Sequence, residues 1–487
     1  MGHPEPVTTA VPPPKPKGRW RWFQRVALAL FALMILGIGG YMLSWKLTRR
    51  EGRQRVEAVN ARLDANDPGW RFADIVADHN SKVPPAESNS ALRAVGIVER
   101  LPKEPDPERS AASLFGKTRD GKLPNELPTP AEWKALDSLY KVHEPLIAEL
   151  RTWNAATPRG RMLLDYPGRN PFDIRVDNSQ KLRMVAFLLA WDSARSAYRG
   201  QADRALASDA AGLHFVRSVD FEPFLISYLI RLACIGVALN SVEQTLAWCA
   251  NATEPALAAI QELIAKGNGD IRPALRFERA MMQQSLEMFD RGEIGLYDLK
   301  PTTQQRILRI HTDQFIPHNI AFVHARYDEF LTILDLPSAE KAAAIRDWKL
   351  PPRTNENHLG HLLLPAVSLV VLADLRVQAR GLCVGVGVAC ERYRSKHGRW
   401  PKSLDELADF GFAKGPVDPF DGQPLRYRVE ADGVIIYSVG KNGIDDGGNT
   451  HRREGAAEDV GCRLWNPARR RIKAPAPALI IEEPPAP

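Results

Sequence analysis

Three places in this sequence carry residue types whose spacing could do chemistry. The first is a loop rich in glycine, Asn and Asp that follows Ser438, reads VGKNGIDDGGN, and rejoins the chain at EDVGCRLW. A hard cation such as calcium takes about six to eight oxygens, which Asn, Asp and Glu side chains and backbone carbonyls of a glycine-rich loop can supply. An exposed hydrophilic hairpin loop has much the same composition. The second place holds His311, His318 and His324 with Asp313, followed by Glu356, His358 and His361. Pro317 interrupts any common helix face in the first group, and Asn357 and Gly360 mark a helix start in the second. Packed or surface histidines are therefore expected, with a metal site as the rival. The third place, Arg276, Glu278 and Arg279, is expected to form a solvated or interhelical ion pair, with a cleft charge cluster as the rival.

Other chemistries have no signature here. No Walker loop, dinucleotide glycine phrase, nucleophile elbow or HExxH occurs. The cysteines at 234, 249, 383, 390 and 462 have no framework spacing, so free thiols are expected; Cys383 and Cys390 act as small hydrophobes on an apolar helix. No catalytic residue is assigned and the protein is not expected to be an enzyme. The rival is a membrane-anchored enzyme with a metal or acid/base site in the helical middle, around His311–His361.

The elements that must position the acidic loop are legible. A helix over Pro365 to Lys396 ends in a basic turn with Gly398 just past it, the expected helix stop. A short acidic helix follows at Ser403–Leu407, with Ser403 as its cap. Asp418-Pro419-Phe420-Asp421-Gly422 has turn chemistry, and Leu425–Val429 alternates as a half-buried strand. Asp432-Gly433 signals a hairpin with Val434–Val439 as the returning strand, and a final strand follows the loop.

This order, over Cys390–Trp465, resembles the C-terminal half of the major pseudopilin of bacterial type II secretion systems. The resemblance rests on Tyr393-Arg394 with Gly398-Arg399-Trp400-Pro401, on Asp418–Tyr427, on Ser438–Gly443, and on Glu458-Asp459-Val460 with Trp465. It implies a calcium site formed by the carbonyl of Val439, the side chain of Asn442, and Glu458 and Asp459, with Asp445 and Asp446 in the same loop able to substitute or add. It also implies an envelope location near secretion or pilus-type machinery. The family's leader and its FTLIE-like phrase are absent before Val26, so the C-terminal unit reads as a module and not as a whole pseudopilin.

The chain has 487 residues, net charge +7, 44% hydrophobic and 25% charged residues, which suits a globular protein of two or three domains. Residues 1–18 read as a disordered tail. Val26–Leu43 is an uncharged apolar run flanked by Trp20, Trp22, Phe23 and Trp45, the length and flanks of a membrane span, and no A-x-A cleavage site follows. A single pass through the inner membrane is expected, with the N-terminus cytoplasmic and the bulk of the chain periplasmic. Basic residues lie near this span and at Arg469-Arg470-Arg471, a pattern that fits anionic lipid better than a nucleic-acid groove.

The middle reads as an irregular array of helical hairpins without a named repeat. Gly200, Gly267 and Gly292 are helix stops, Pro145 a kink, and Phe224–Trp248 a buried helix, not a span. The expected architecture is mainly α with a small α+β C-terminal module. Its parts are a transmembrane anchor over 19–50, a helical domain over 51–361, a spine-like helix with an antiparallel sheet over 362–465, and a Pro-rich tail over 466–487. The expected function is a membrane-anchored structural or interaction component with protein partners, calcium as its one cofactor, and neither nucleic acid nor a small-molecule substrate.

Overall fold

The computed structural model describes residues 17–102, 124–166, 171, 174, 177–293, 313–450 and 459–473. It is mainly helical, with a small antiparallel sheet near the C-terminus. In chain order the helices are α1 (Lys17–Asn66), α2 (Phe72–Ser81), α3 (Ser90–Glu99), α4 (Pro130–Leu150), α5 (Asp177–Tyr198), α6 (Ala202–Ser218) and α7 (Leu225–Trp248). They continue with α8 (Glu254–Ala265), α9 (Arg272–Arg291), α10 (Ile316–Leu334), α11 (Ser338–Asp347), α12 (Gly360–Leu363) and α13 (Pro365–His397). The two-residue strands β1 (Glu126–Leu127) and β7 (Ile472–Lys473) pair in parallel, as do β2 (Gly160–Arg161) and β3 (Val219–Asp220). The sheet proper is β4 (Arg426–Glu430), β5 (Gly433–Ser438) and β6 (Val460–Trp465), in that order.

Helix α1 runs unbroken for 50 residues, about 75 Å at 1.5 Å per residue. The sequence between the apolar run and Asn66 holds no proline, and charged helix formers such as Glu51, Arg55 and Glu57 carry the helix on. It stops at Asp67-Pro68-Gly69, where Gly69 takes φ 73°. Every residue from Trp20 to Leu43 is exposed, so nothing in the protein covers the apolar half. This helix is long and apolar enough to cross a membrane. Two further windows, in α7 and across α12–α13, meet the same length and composition but are 61% and 47% buried inside the body, in keeping with a core role.

The second half of α1 is built into the body. It lies along α10, and Gly52 makes the approach possible: a Cβ there would sit 2.5 Å from Nδ1 of the buried His318. Arg49 pairs with Asp290 at 2.7 Å and Arg55 with Glu356 at 3.4 Å. Arg62 pairs with Asp328, and Asp67 at the helix end receives both Arg276 and the buried Arg279.

Two apolar cores lie side by side. One joins α9 and α10 to the start of α13 through Phe277, Tyr327, Phe330 and Val371. The other joins α3 and α5–α8 to the end of α13 and the sheet through Leu189, Leu239, Cys390, Ile436 and Leu464. Helix α13 belongs to both, so the C-terminal sheet shares its core with the helical middle. Gly387 faces the sheet; a Cβ there would meet Cys462 Sγ at 3.0 Å, so this glycine sets how closely β6 packs.

Pro145 lies inside α4, whose start is fixed by a capping box of Thr129 and Glu132. Two local expectations are corrected. Ser403 does not cap the short helix that follows the spine. Its Oγ contacts Asp405 instead, while Glu406 takes the Lys402 amide at 3.0 Å, and the segment Leu404–Phe410 is 3-10. Residues 466–473 are not a free tail. Arg470 is buried against Glu391 at 2.8 Å, and Arg471 donates to the Tyr198 carbonyl at 2.6 Å, so this basic triplet does not present itself to lipid as a unit. The N-terminal stretch through residue 16 and positions 474–487 lie outside the described residues.

Candidate functional site

The acidic loop is held at its root by one carboxylate. Asp418, fully buried, accepts hydrogen bonds from the amides of Phe420 and Val439, each at 2.9 Å. It also accepts from Ser438 Oγ at 2.7 Å and Arg426 Nη1 at 2.8 Å. The Asp-Pro-x-x-Gly turn is thus the buttress that fixes where β5 ends and the loop begins. Sequence reading saw a turn there but not this role, since Ser438 and Val439 lie 20 and 21 residues away.

From Lys441 to Gly447 the loop is exposed, and it is tied internally. Asn442 donates to Asp446 Oδ2 at 3.0 Å and accepts from the Ile444 amide at 3.1 Å. Asp445 accepts from the Gly447 amide at 2.9 Å. Asp459, from the returning strand, accepts from the amides of Gly448 at 2.8 Å and Asp446 at 3.4 Å. Burial raises the Asp459 pKa above the usual carboxylate range, and the charges of Asp446 and Asp445 push the same way. Val439 is buried beside Phe420 and Val460. Glu458 lies outside the described residues.

Asn442, Asp445, Asp446 and Asp459 therefore share one hydrogen-bonded loop in which three carboxylates repel one another. The donor chemistry is all hard oxygen, which suits calcium. Among the described residues no three His, Cys, Asp or Glu side chains form a ready cage, so the fit lies in the donor set and not in a finished coordination shell.

The histidines do not converge. His318 is buried under Gly52 of α1, and His324 of α10 contacts the Gln283 side chain of the neighbouring helix α9. Burial, with Arg279 and Arg62 nearby, pushes His324 down to about 3. His358 contacts the Asn355 carbonyl at 2.9 Å and His361 that of Pro351 at 2.8 Å. Asp313 receives Arg49 on its carbonyl at 3.0 Å, and His311 lies outside the described residues. Arg276 and Arg279 meet at Asp67, whereas Glu278 points elsewhere and accepts from the Leu225 amide at 3.1 Å. That places an interhelical ion cluster where the sequence suggested one.

A buried polar network was not anticipated. Asp192 in α5 accepts from Tyr140 at 2.5 Å, Arg151 Nε at 2.6 Å and Ser208 at 2.6 Å. Burial opposes its charge, but Arg151 and the two hydroxyls hold its pKa low. Asp209 in α6 has no such cation; burial drives it up to about 7, despite Thr245 donating at 3.3 Å. The signal was an Asp set among small residues in ALASDAAG, which sequence reading passed over. Because Asp209 stays protonated in the fold but ionises near 3.8 when unfolded, its stabilising contribution is whole below that value and is lost as pH rises toward 7. In Asp209→Asn, melting curves from pH 4 to 8 should lose part of this decline, on the order of 3 kcal/mol less destabilisation than wild type. An unchanged pH profile would show that Asp209 is already ionised.

Comparison of the chain with family models, with curated proteins and with solved structures finds no match to any of them.

Proposed function

We propose that this protein is a non-catalytic, membrane-anchored component of the bacterial envelope that holds a pseudopilin-like module at a fixed attitude to the membrane. The observation that carries the reading is α1: one helix whose apolar half is bare and whose charged half is keyed into the body by Gly52 and four ion-paired positions. A swinging tether needs neither a close-packed glycine nor a buried arginine at its end. The N-terminus is placed in the cytoplasm and the body outside, since a short basic tail stays inside while long domains translocate.

Calcium would be held by Asn442, Asp445, Asp446 and Asp459, with Glu458 and the Val439 carbonyl completing the set the resemblance implies. Its charge would relieve the repulsion among the three aspartates and so order the loop beside β5. The protein's own contribution is the Asp418 buttress, which fixes the loop root whether or not the cation is bound. The neighbourhood is secretion or pilus-type machinery, and Ile444, 60% exposed at the loop tip, is the apolar contact point.

One experiment tests cation and neighbourhood together. A photo-crosslinking residue replaces Ile444 in cells, and the purified full chain is melted with calcium and with chelator. Calcium should raise the melting point by mass action, an effect lost in Asp459→Ala, and should increase an adduct to a pseudopilus-type protein. Identical melts would remove calcium; adducts confined to lipid would remove the machinery.

A further inference from the structure

A cleft of about 470 Å³ opens where α6, α7, α8 and α13 meet beneath the turn that follows the spine helix. That volume lies within the range of small-molecule sites, roughly 300–1,000 Å³. Its walls are apolar, with Leu213, Leu239, Ile264, Leu382 and Phe412 facing it. Its floor is Gly381 and Gly385, one turn apart on α13. A Cβ on Gly381 would come no nearer than 3.8 Å to Leu239, and one on Gly385 would lie 3.5 Å from Ile264. These are ordinary contacts, so the helix packing does not require glycine at either position, although glycine inside a helix is unfavourable relative to alanine. The contrast with Gly387, two residues on and pressed against Cys462, separates a packing glycine from two that only keep space open.

The cleft also holds an unmatched positive charge. Arg217 lines it and donates to the carbonyls of Leu213, at 3.3 Å, and Leu263, with no carboxylate in ion-pair range among the described residues. Arg231 behind it donates to the Asn268 carbonyl at 2.9 Å and is likewise without an acid partner among the described residues. Burial and the nearby Arg231 bring the Arg217 pKa down to about 10, the mark of a cation short of counter-charge. The other charged lining groups are matched: Arg392 with Glu254, and Glu262 with Lys266 at 3.5 Å.

We infer that this cleft binds a small amphipathic anion, a fused-ring or short acyl body ending in one carboxylate, with the carboxylate on Arg217 and the apolar body over Gly381 and Gly385. A guanidinium–carboxylate contact away from bulk water is charge-assisted and geometrically specific, and the glycine floor admits a flat body.

The full chain in discs of zwitterionic lipid is titrated calorimetrically with 2-naphthoate and with neutral 2-naphthamide, empty discs serving as the blank. Naphthoate should bind saturably at one site and about ten-fold tighter than naphthamide, as one charge-assisted hydrogen-bonded contact warrants. Arg217→Met should bring naphthoate down to the naphthamide level. The double substitution Gly381→Ala, Gly385→Ala should raise the melting temperature while weakening both ligands, and it decides alone if Arg217→Met folds poorly. Equal affinity for the two probes, no saturable heat, or undiminished binding in the double-alanine variant would overturn the inference.

Discussion

Replacing Arg470 with Met is expected to destabilise the protein by about 3 kcal/mol or more, the usual cost of leaving one buried charge without its partner. Arg470 and Glu391 are each only 2% exposed at the side chain, and they meet at 2.8 Å. Arg470 also donates to the carbonyl of Trp465 at 2.9 Å and to that of Cys249. One side chain thus ties the end of β6, the end of α7 and the C-terminal part of α13 together. Arg394 still reaches Glu391, which keeps the loss toward the lower end of the range. Adding Glu391→Gln to Arg470→Met should recover part of the stability, because the orphaned charge is then removed as well. Chemical denaturation followed by tryptophan fluorescence measures both. A single-variant loss below about 1 kcal/mol, the value of a surface pair, would show that this contact is solvated.

Gly52→Leu is expected to lift α1 off α10. Even the first added carbon falls 2.5 Å from His318 Nδ1, and a leucine adds three more. Overpacking of this kind costs about 1–3 kcal/mol when a core can shift to absorb it. Here the easier response is for the helix to leave, since its remaining polar ties near Gly52 are the half-exposed pair Arg55–Glu356 and Arg49, which reaches Asp290 and the Asp313 carbonyl. Trypsin should then cut at Arg50, Arg53 and Arg55 far faster than in wild type. Cleavage at the wild-type rate would mean that His318 moves aside and that Gly52 is not the key.

How far the sequence led depended on how local the determining interactions are. The spine helix, its Gly398 stop and the two hairpin strands were legible because caps, turns and alternation act within a few residues. Helix α1 was read as an anchor followed by a separate charged segment. Its continuity turns on the absence of a breaker, and its docking turns on Gly52 meeting His318 some 260 residues later, which no local pattern encodes. Arg470 illustrates the same limit: in sequence it is one of three consecutive arginines, and only its contact with Glu391 makes it a core residue. In the candidate cation loop the composition was visible, whereas the Asp418 buttress depends on pairing across the sheet. The cleft floored by the spine helix left only Gly381 and Gly385 as a trace, and glycines in an apolar helix are as readily explained by close packing, which is what Gly387 does.

The most direct test of a rigidly mounted body is the distance between the membrane edge and the sheet. The native cysteines are buried, so cysteines introduced at Leu47 and Val429, 57% and 53% exposed, can take spin labels selectively. Pulsed electron paramagnetic resonance on the full chain in lipid discs should give a single narrow distance distribution, which broadens in Gly52→Leu. A broad distribution in the otherwise wild-type chain would mean that α1 bends or swings between membrane and body, and the fixed mounting would be contradicted.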